Sequence, residues 1–304
     1  MSNLPLSQRI LSPTGQGRLL VVVAALLWST SGFFAKSPWL GDCSGALLAF
    51  WRSFFAALVL LPYGRQLWSV RRSFWRLLPM VSFFAAMSYF YLEAMENTTA
   101  TNAIYLQSTA PIWTLAIGIF FFNEKTVPFD YVMAILIVIG ISLILSGQSD
   151  VALGTKTLSE ATSSSWGLIC GLAAGVCYAG VILSLRHLRE VPTGPMVLAN
   201  TAFSTIALSW VLWQGEKLPT TFQFFLLGCF GSLQLSLPYL LFSQGLRRIS
   251  AHQAAGIVLL EPLLVPVWEW IVWGHRSDYL PPNSWSIAGG GIIFAGLVVR
   301  LLKK

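Results

Sequence analysis

Charge is scarce in this chain. Of its 304 residues 10% are Asp, Glu, Lys or Arg, against about 25% in ordinary soluble domains, while 55% are hydrophobic. A soluble fold of this length hides its core behind a charged shell, and there is too little charge here to build one. Cysteine is sparse too: Cys43, Cys170, Cys177 and Cys229 lack disulfide or zinc spacing. The three histidines, His187, His252 and His275, are scattered, so neither a metal site nor a His-based triad is expected. GxSxG, HExxH and GxxxxGK[ST] are all absent, and this argues against an intramembrane hydrolase and against direct use of ATP. No cofactor motif is present. The net charge of +7 is no nucleic-acid signal, because the basic residues fall between apolar runs.

Long apolar runs fill the chain, and the mean hydropathy is +0.68. A helix crosses the hydrocarbon core with about 20 mostly apolar residues. Runs of that length lie near 18–35, 45–62, 74–95, 100–122, 129–146, 166–185, 196–213, 221–243, 253–273 and 284–302. Breakers such as Pro38 with Gly41, Arg71 with Arg72, and Pro281 with Pro282 separate them. Ten spans put both termini on one side. With that side cytosolic, fourteen of the 19 Lys and Arg fall on cytosolic segments, four (Lys36, Lys156, Lys217 and Arg276) fall opposite, and Arg52 lies inside a span. Cytosolic loops are the basic ones, and a miscounted helix would blur the split.

The expected architecture is therefore an all-α membrane protein of ten transmembrane helices, with cytosolic N- and C-termini. Residues 1–16 read as a cytosolic tail, 17–147 as a first five-helix repeat, 148–165 as a Ser/Thr/Gly-rich linker, and 166–304 as a second five-helix repeat. The punctuation of the halves agrees at an offset of 151, where Pro111 matches Pro262 and Gly140 matches Gly291. An odd number of spans per half turns the second half upside down relative to the first. Such inverted repeats suit alternating access around a central site.

Intramembrane charge is costly and marks function. Glu261 lies in mid-span, directly before Pro262 and with Pro266 nearby; a carboxylate there binds a cationic group or takes up a proton. Arg52 lies several residues inside the second span, where it binds a substrate carboxylate, pairs with Glu261, snorkels to the outer headgroups or clamps helices. Trp28, Tyr89, Tyr178 and Tyr239 are candidates to line a cavity and stack on a flat substrate, and Gln107 to coordinate it, with ordinary helix packing as the alternative. Pro111, Pro262 and Pro266 are candidate hinges. Gln234 and Asn200 are further mid-span amides. Glu93 and Glu269 fall near span ends, where interfacial solvation accounts for them. Trp268, Trp270 and Trp273 fit an interfacial belt, and the Gly167, Gly171, Gly175 series and Gly289 to Gly291 fit close helix packing.

LLWSTSGFFAK at 26–36, FWRSFFAALVLLP at 50–62, IYLQSTAPIWTLAIGIFFFNEK at 104–125, LLEPLLVPVWEWIVWG at 259–274 and GIIFAGLVV at 291–299 resemble helices of the drug/metabolite transporter superfamily, EamA type. The likeness covers nearly the whole chain in order. It departs at His275-Arg276, where the second repeat often has an acidic residue, and at the extra Glu269. The resemblance implies a ten-helix transporter in a bacterial inner membrane, often exporting metabolites. The expected function is secondary transport by alternating access, with efflux of an amino acid or an amphipathic, aromatic compound. Proton coupling is one option, and the protein is a monomer or homodimer. A nucleotide-sugar-type exchanger, a channel and an intramembrane enzyme are the alternatives.

Overall fold

The computed structural model describes residues 12–69, 74–123, 126–152, 158–188, 190–215, 218–277, 279 and 281–302. The described residues are helical throughout, with no strand. Ten helices are long and apolar enough to cross a membrane. They are α1 (Pro13–Ala35), α2 (Gly45–Gln66), α3 (Trp75–Asn97), α4 (Ala100–Phe122), α5 (Pro128–Gly147), α6 (Ser165–Leu185), α7 (Thr193–Trp213), α8 (Thr221–Leu246), α9 (Gln253–Trp273) and α10 (Ser284–Leu302). Large apolar side chains such as Phe120, Ile135, Phe225 and Ile287 face outward. A bundle with that exterior is solvated by lipid, and helices satisfy their own backbone groups there.

Helix reaches into both stretches read as tail and linker. The polar tail gives way to helix at Pro13, earlier than expected, because Ser12 accepts from the Gly15 amide at 3.0 Å and proline suits the first helical turn; residues 1–11 lie outside the described residues. The stretch 148–165 is largely helix. The helix containing α5 runs on to Ala152 and that containing α6 starts at Leu158, while 153–157 lie outside the described residues. No proline occurs between Pro128 and Pro192 to stop them.

Several spans are interrupted, and the interruptions in α1, α4, α8 and α9 position the site. α1 breaks at Ser29 and Thr30, between the segments Pro13–Trp28 and Ser31–Ala35. The Ser29 and Thr30 hydroxyls donate to the carbonyls of Leu26 (2.7 Å) and Leu27 (2.6 Å), which the broken turn would leave poorly used. α4 breaks at Ser108 and Thr109 in the same way, with hydroxyl bonds to Ile104 (2.7 Å) and Leu106 (2.6 Å). α9 breaks at Leu259. Pro111 and Pro262 stand just inside the second segments of α4 and α9, where a missing N–H costs little. α8 widens into a π-helix over Phe230–Ser236.

Small residues bring helices together. α10 packs along α5, where a Cβ at Gly289 would lie 2.5 Å from the Gly140 carbonyl and one at Gly140 2.6 Å from the Gly289 carbonyl. α6 crosses the α3–α4 corner through Gly167 against Asn97, and through Gly171 and Gly175 against Leu106. Arg300 of α10 pairs with the buried Asp130 of α5.

Candidate functional site

Arg52 sits two turns inside α2, roughly 10 Å from its first residue. It is 3% exposed, so it does not snorkel to the membrane surface. One terminal nitrogen donates to Gln234 Oε1 of the α8 π-segment at 3.1 Å and the other to Ser88 Oγ of α3 at 2.8 Å. Its carbon lies 5.3 Å from the centroid of the Phe230 ring. Arg52 Nε is buried without a hydrogen-bond partner. All these contacts are to neutral groups, an uncommon way to hold a buried cation.

Gln234 relays the network onward, donating from Nε2 to the Trp28 carbonyl at 3.2 Å, at the α1 break. The π-turn puts Gln234 and Ser236 toward α1 and α2: Ser236 Oγ donates to the Ala56 carbonyl at 3.0 Å. Such turns occur mostly as local insertions and often at functional sites. The Trp28 ring stands edge-on to Tyr239 at 5.0 Å and tilted against Phe242 at 5.3 Å. Tyr239 also meets Phe84 at 6.2 Å. The Tyr91 hydroxyl shares a hydrogen bond of 2.8 Å with Ser31 Oγ, joining α3 to the second segment of α1.

Glu261 is in the first turn after the α9 break, at the end of a segment whose dipole favours negative charge. It is half-buried and accepts no hydrogen bond from any described residue. Arg52, Tyr91, Tyr178 and Tyr239 are all within its electrostatic reach, yet Glu261 and Arg52 do not form an ion pair. Arg52 of α2 is thus linked through Gln234 to Trp28 of α1 and its ring partner Tyr239 of α8, Tyr178 of α6 packs on the same hydrophobic cluster as Tyr239, and Glu261 of α9 meets them through charge and not through contact.

Tyr89 and Gln107 do not join them. Tyr89 packs on Phe90 (5.2 Å) and Trp210 (6.3 Å), on another face of α3 from Ser88 and Tyr91. Gln107 ends the first α4 segment beside Gly175 of α6, and its amide makes no hydrogen bond with a described residue. Pro266 sits within the second α9 segment, which continues through it. Ser88, Tyr91 and Phe230 were not anticipated. Ser88 and Tyr91 are three residues apart on α3, the spacing of a shared helix face, which was the available signal.

A second group of charges lies at the ends of α1, α3 and α9 remote from the chain termini. Glu93 Oε1 accepts from the Ala46 amide at 3.0 Å, and Glu96 accepts from the Gly45 amide. Both carboxylates therefore cap the start of α2, where amides lack helical partners, and their role is more specific than interfacial solvation. Glu269 departs from that expectation as well. It is 4% exposed and its Oε2 has no hydrogen-bond partner. Nearby Lys36 donates to the Glu96 carbonyl at 3.4 Å. Burial lowers the Lys36 pKa, opposed by the charges of Glu269 and Glu96. The tryptophan belt is also partly turned inward: Trp268 Nε1 donates to Ser29 Oγ at 2.9 Å and Trp273 Nε1 to the Phe33 carbonyl at 3.3 Å, while Trp270 stays exposed. In each case α1 passes alongside α9 and offers an acceptor.

Comparison with known proteins places this geometry in context. The model of the EamA-like transporter family matches twice, over residues 15–146 and 165–302. An uncharacterized transporter of Bacillus subtilis, YxxF, is 25% identical over 293 residues, covering 93% of this chain and 89% of its own. An uncharacterized transporter of Archaeoglobus fulgidus is 23% identical over 290 residues, covering 93% and 95%. An S-adenosylmethionine uptake transporter of Rickettsia bellii is 29% identical over 108 residues, 34% of this chain and 36% of that one. One solved crystal structure superposes with a TM-score of 0.63 at 17% identity, covering 94% of this chain and 96% of the other, a likeness of fold.

Proposed function

The chain belongs to the EamA-like transporter family and is a multi-pass membrane transporter of two five-helix repeats, and from that premise we propose that it carries a small zwitterionic metabolite by alternating access. The substrate class is an amino acid or an amphipathic, aromatic compound bearing an amino-acid group. One observation carries this reading. A buried guanidinium held only by neutral groups is joined through Gln234 to the carbonyl of Trp28, whose ring stands edge-on to Tyr239, and Glu261, in the first turn after the α9 break, accepts no hydrogen bond from a described residue.

The roles follow from the chemistry. Arg52 offers a planar fork of donors that matches a substrate carboxylate. Glu261 takes the substrate ammonium. Trp28 and Tyr239 give a flat or apolar body edge-to-face contacts. Glu261 holds either the ammonium or a proton, so substrate leaving in one direction exchanges for a proton entering in the other, which favours export with termini in the cytosol of a bacterial inner membrane. S-adenosylmethionine carries a carboxylate, an ammonium and a flat ring, so the name of the Rickettsia relative is compatible with this class. Conformational exchange would bend α4 and α9 at their breaks beside Pro111 and Pro262, where backbone bonds are already interrupted.

The test is counterflow in proteoliposomes with amino acids, aromatic metabolites and nucleotide sugars, with Glu261→Gln run in parallel. Accumulation of amino acids, lost in the variant, is expected. Accumulation of nucleotide sugars alone would replace the substrate class, and amino-acid transport undiminished in Glu261→Gln would remove Glu261 from the path.

A further inference from the structure

Between α3, α4 and α6 a groove of about 520 Å³ opens on the side of the membrane that holds the chain termini. Its walls are apolar, made by Pro79, Phe83, Ile117, Phe122 and Leu183. Gly180 lies at its floor, where a Cβ would collide with the Phe83 ring. Arg76 and His187 complete the lining and are both exposed. The groove runs along α3 from Arg76 to Phe83, stops about one and a half turns short of Ser88, and includes no residue of the Arg52 network.

Three features say what this groove takes. Trp75, next to Arg76 at the start of α3, is 78% exposed, as a tryptophan at the headgroup level is. The groove therefore runs from that level into the hydrocarbon. Arg76 makes no hydrogen bond or ion pair with a described residue, and none of the side chains lining the groove is acidic. Its surroundings thus complement a negative charge. His187 Nδ1 donates to the Leu183 carbonyl at 3.0 Å, which leaves Nε2 to meet a headgroup hydroxyl.

We infer that the groove binds one anionic phospholipid of the surrounding bilayer, its phosphate on Arg76, a headgroup hydroxyl against His187 and an acyl chain along Phe83, Ile117 and Leu183. The walls come from α3 and α4 of the first repeat and α6 of the second, so this lipid spans the seam between halves that must move past each other. A soluble phosphate would gain nothing from the apolar walls, and in a zwitterionic lipid the headgroup ammonium offsets the attraction of the phosphate to Arg76.

Native mass spectrometry of the detergent-purified protein tests this, after exchange with phosphatidylglycerol or phosphatidylcholine. One phosphatidylglycerol should stay bound under conditions that strip phosphatidylcholine. Arg76→Gln should lower that retention about five-fold, the usual effect of one cation beside an anionic headgroup. Ser184→Phe, which fills the groove from α6, should abolish it, whereas Arg65→Gln should leave it unchanged. Equal retention of both lipids would overturn the inference. So would an Arg76→Gln effect no larger than that of Arg65→Gln, because the lipid would then be part of a general annulus.

Discussion

The Arg52–Glu261 relationship can be measured without knowing the substrate. At an effective permittivity of about 20 two unit charges attract by about 4 kcal/mol at about 4 Å and by less in proportion to distance, so for this pair, which is no ion pair, about 2 kcal/mol is taken. Removing either one leaves the other buried without its compensating charge. Arg52→Met also strands Gln234 Oε1 and Ser88 Oγ, which now accept from the guanidinium at 3.1 and 2.8 Å, and unpaired buried polar groups cost about 1–3 kcal/mol each. Glu261→Gln strands no hydrogen-bond donor, because no described residue donates to that carboxylate. The expected result is a loss of about 2 kcal/mol for Glu261→Gln and about 4 kcal/mol for Arg52→Met. The double variant should lose about 2 kcal/mol less than the sum. Reversible unfolding in mixed micelles with increasing dodecyl sulfate gives the four free energies of this double-mutant cycle. Strict additivity would refute the reasoning, since it would mean that the two charges do not interact across the space proposed for substrate.

Two further predictions concern the scaffold. Glu93→Gln and Glu96→Gln each weaken a carboxylate cap on the first turn of α2 and should cost about 1 kcal/mol; hydrogen exchange should localise the loosening to the Gly45 and Ala46 amides. Gly289→Ala should destabilise by about 1–3 kcal/mol by forcing α10 from α5, whereas Gly291→Ala, with nothing within 4 Å of its Cβ, should be close to neutral in the same unfolding assay.

Lipid narrows the reading of such a chain. Every span must be a helix, and every helix must be apolar over about 20 residues. That is why the boundaries at 100–122, 253–273 and 284–302 coincide with α4, α9 and α10. The same constraint makes an intramembrane charge conspicuous, so Arg52 and Glu261 stand out before any packing is known. The repeat is visible for a related reason: prolines at Pro111 and Pro262 mark breaks at equivalent points of α4 and α9.

Which faces meet is decided at longer range. Glu93 and Glu269 look alike in the sequence, as acids near span ends, yet one caps the amides of α2 and the other is buried with an unpaired oxygen. Tyr89 and Tyr91 are two positions apart, and a helix turns them to different neighbours, Trp210 for one and Ser31 for the other. Gln234 reaches Arg52 and the Trp28 carbonyl from a π-turn that no periodicity announces. Hydropathy averages over a helix, so the sequence by itself determined the number of spans, their limits to within a few residues, and the two charges that cost most to bury. The direction in which a side chain points depends on rotation about each helix axis. Only contacts between helices far apart in sequence set that rotation, so the tertiary structure alone assembled Arg52, Gln234, Ser88 and the aromatic walls into one place.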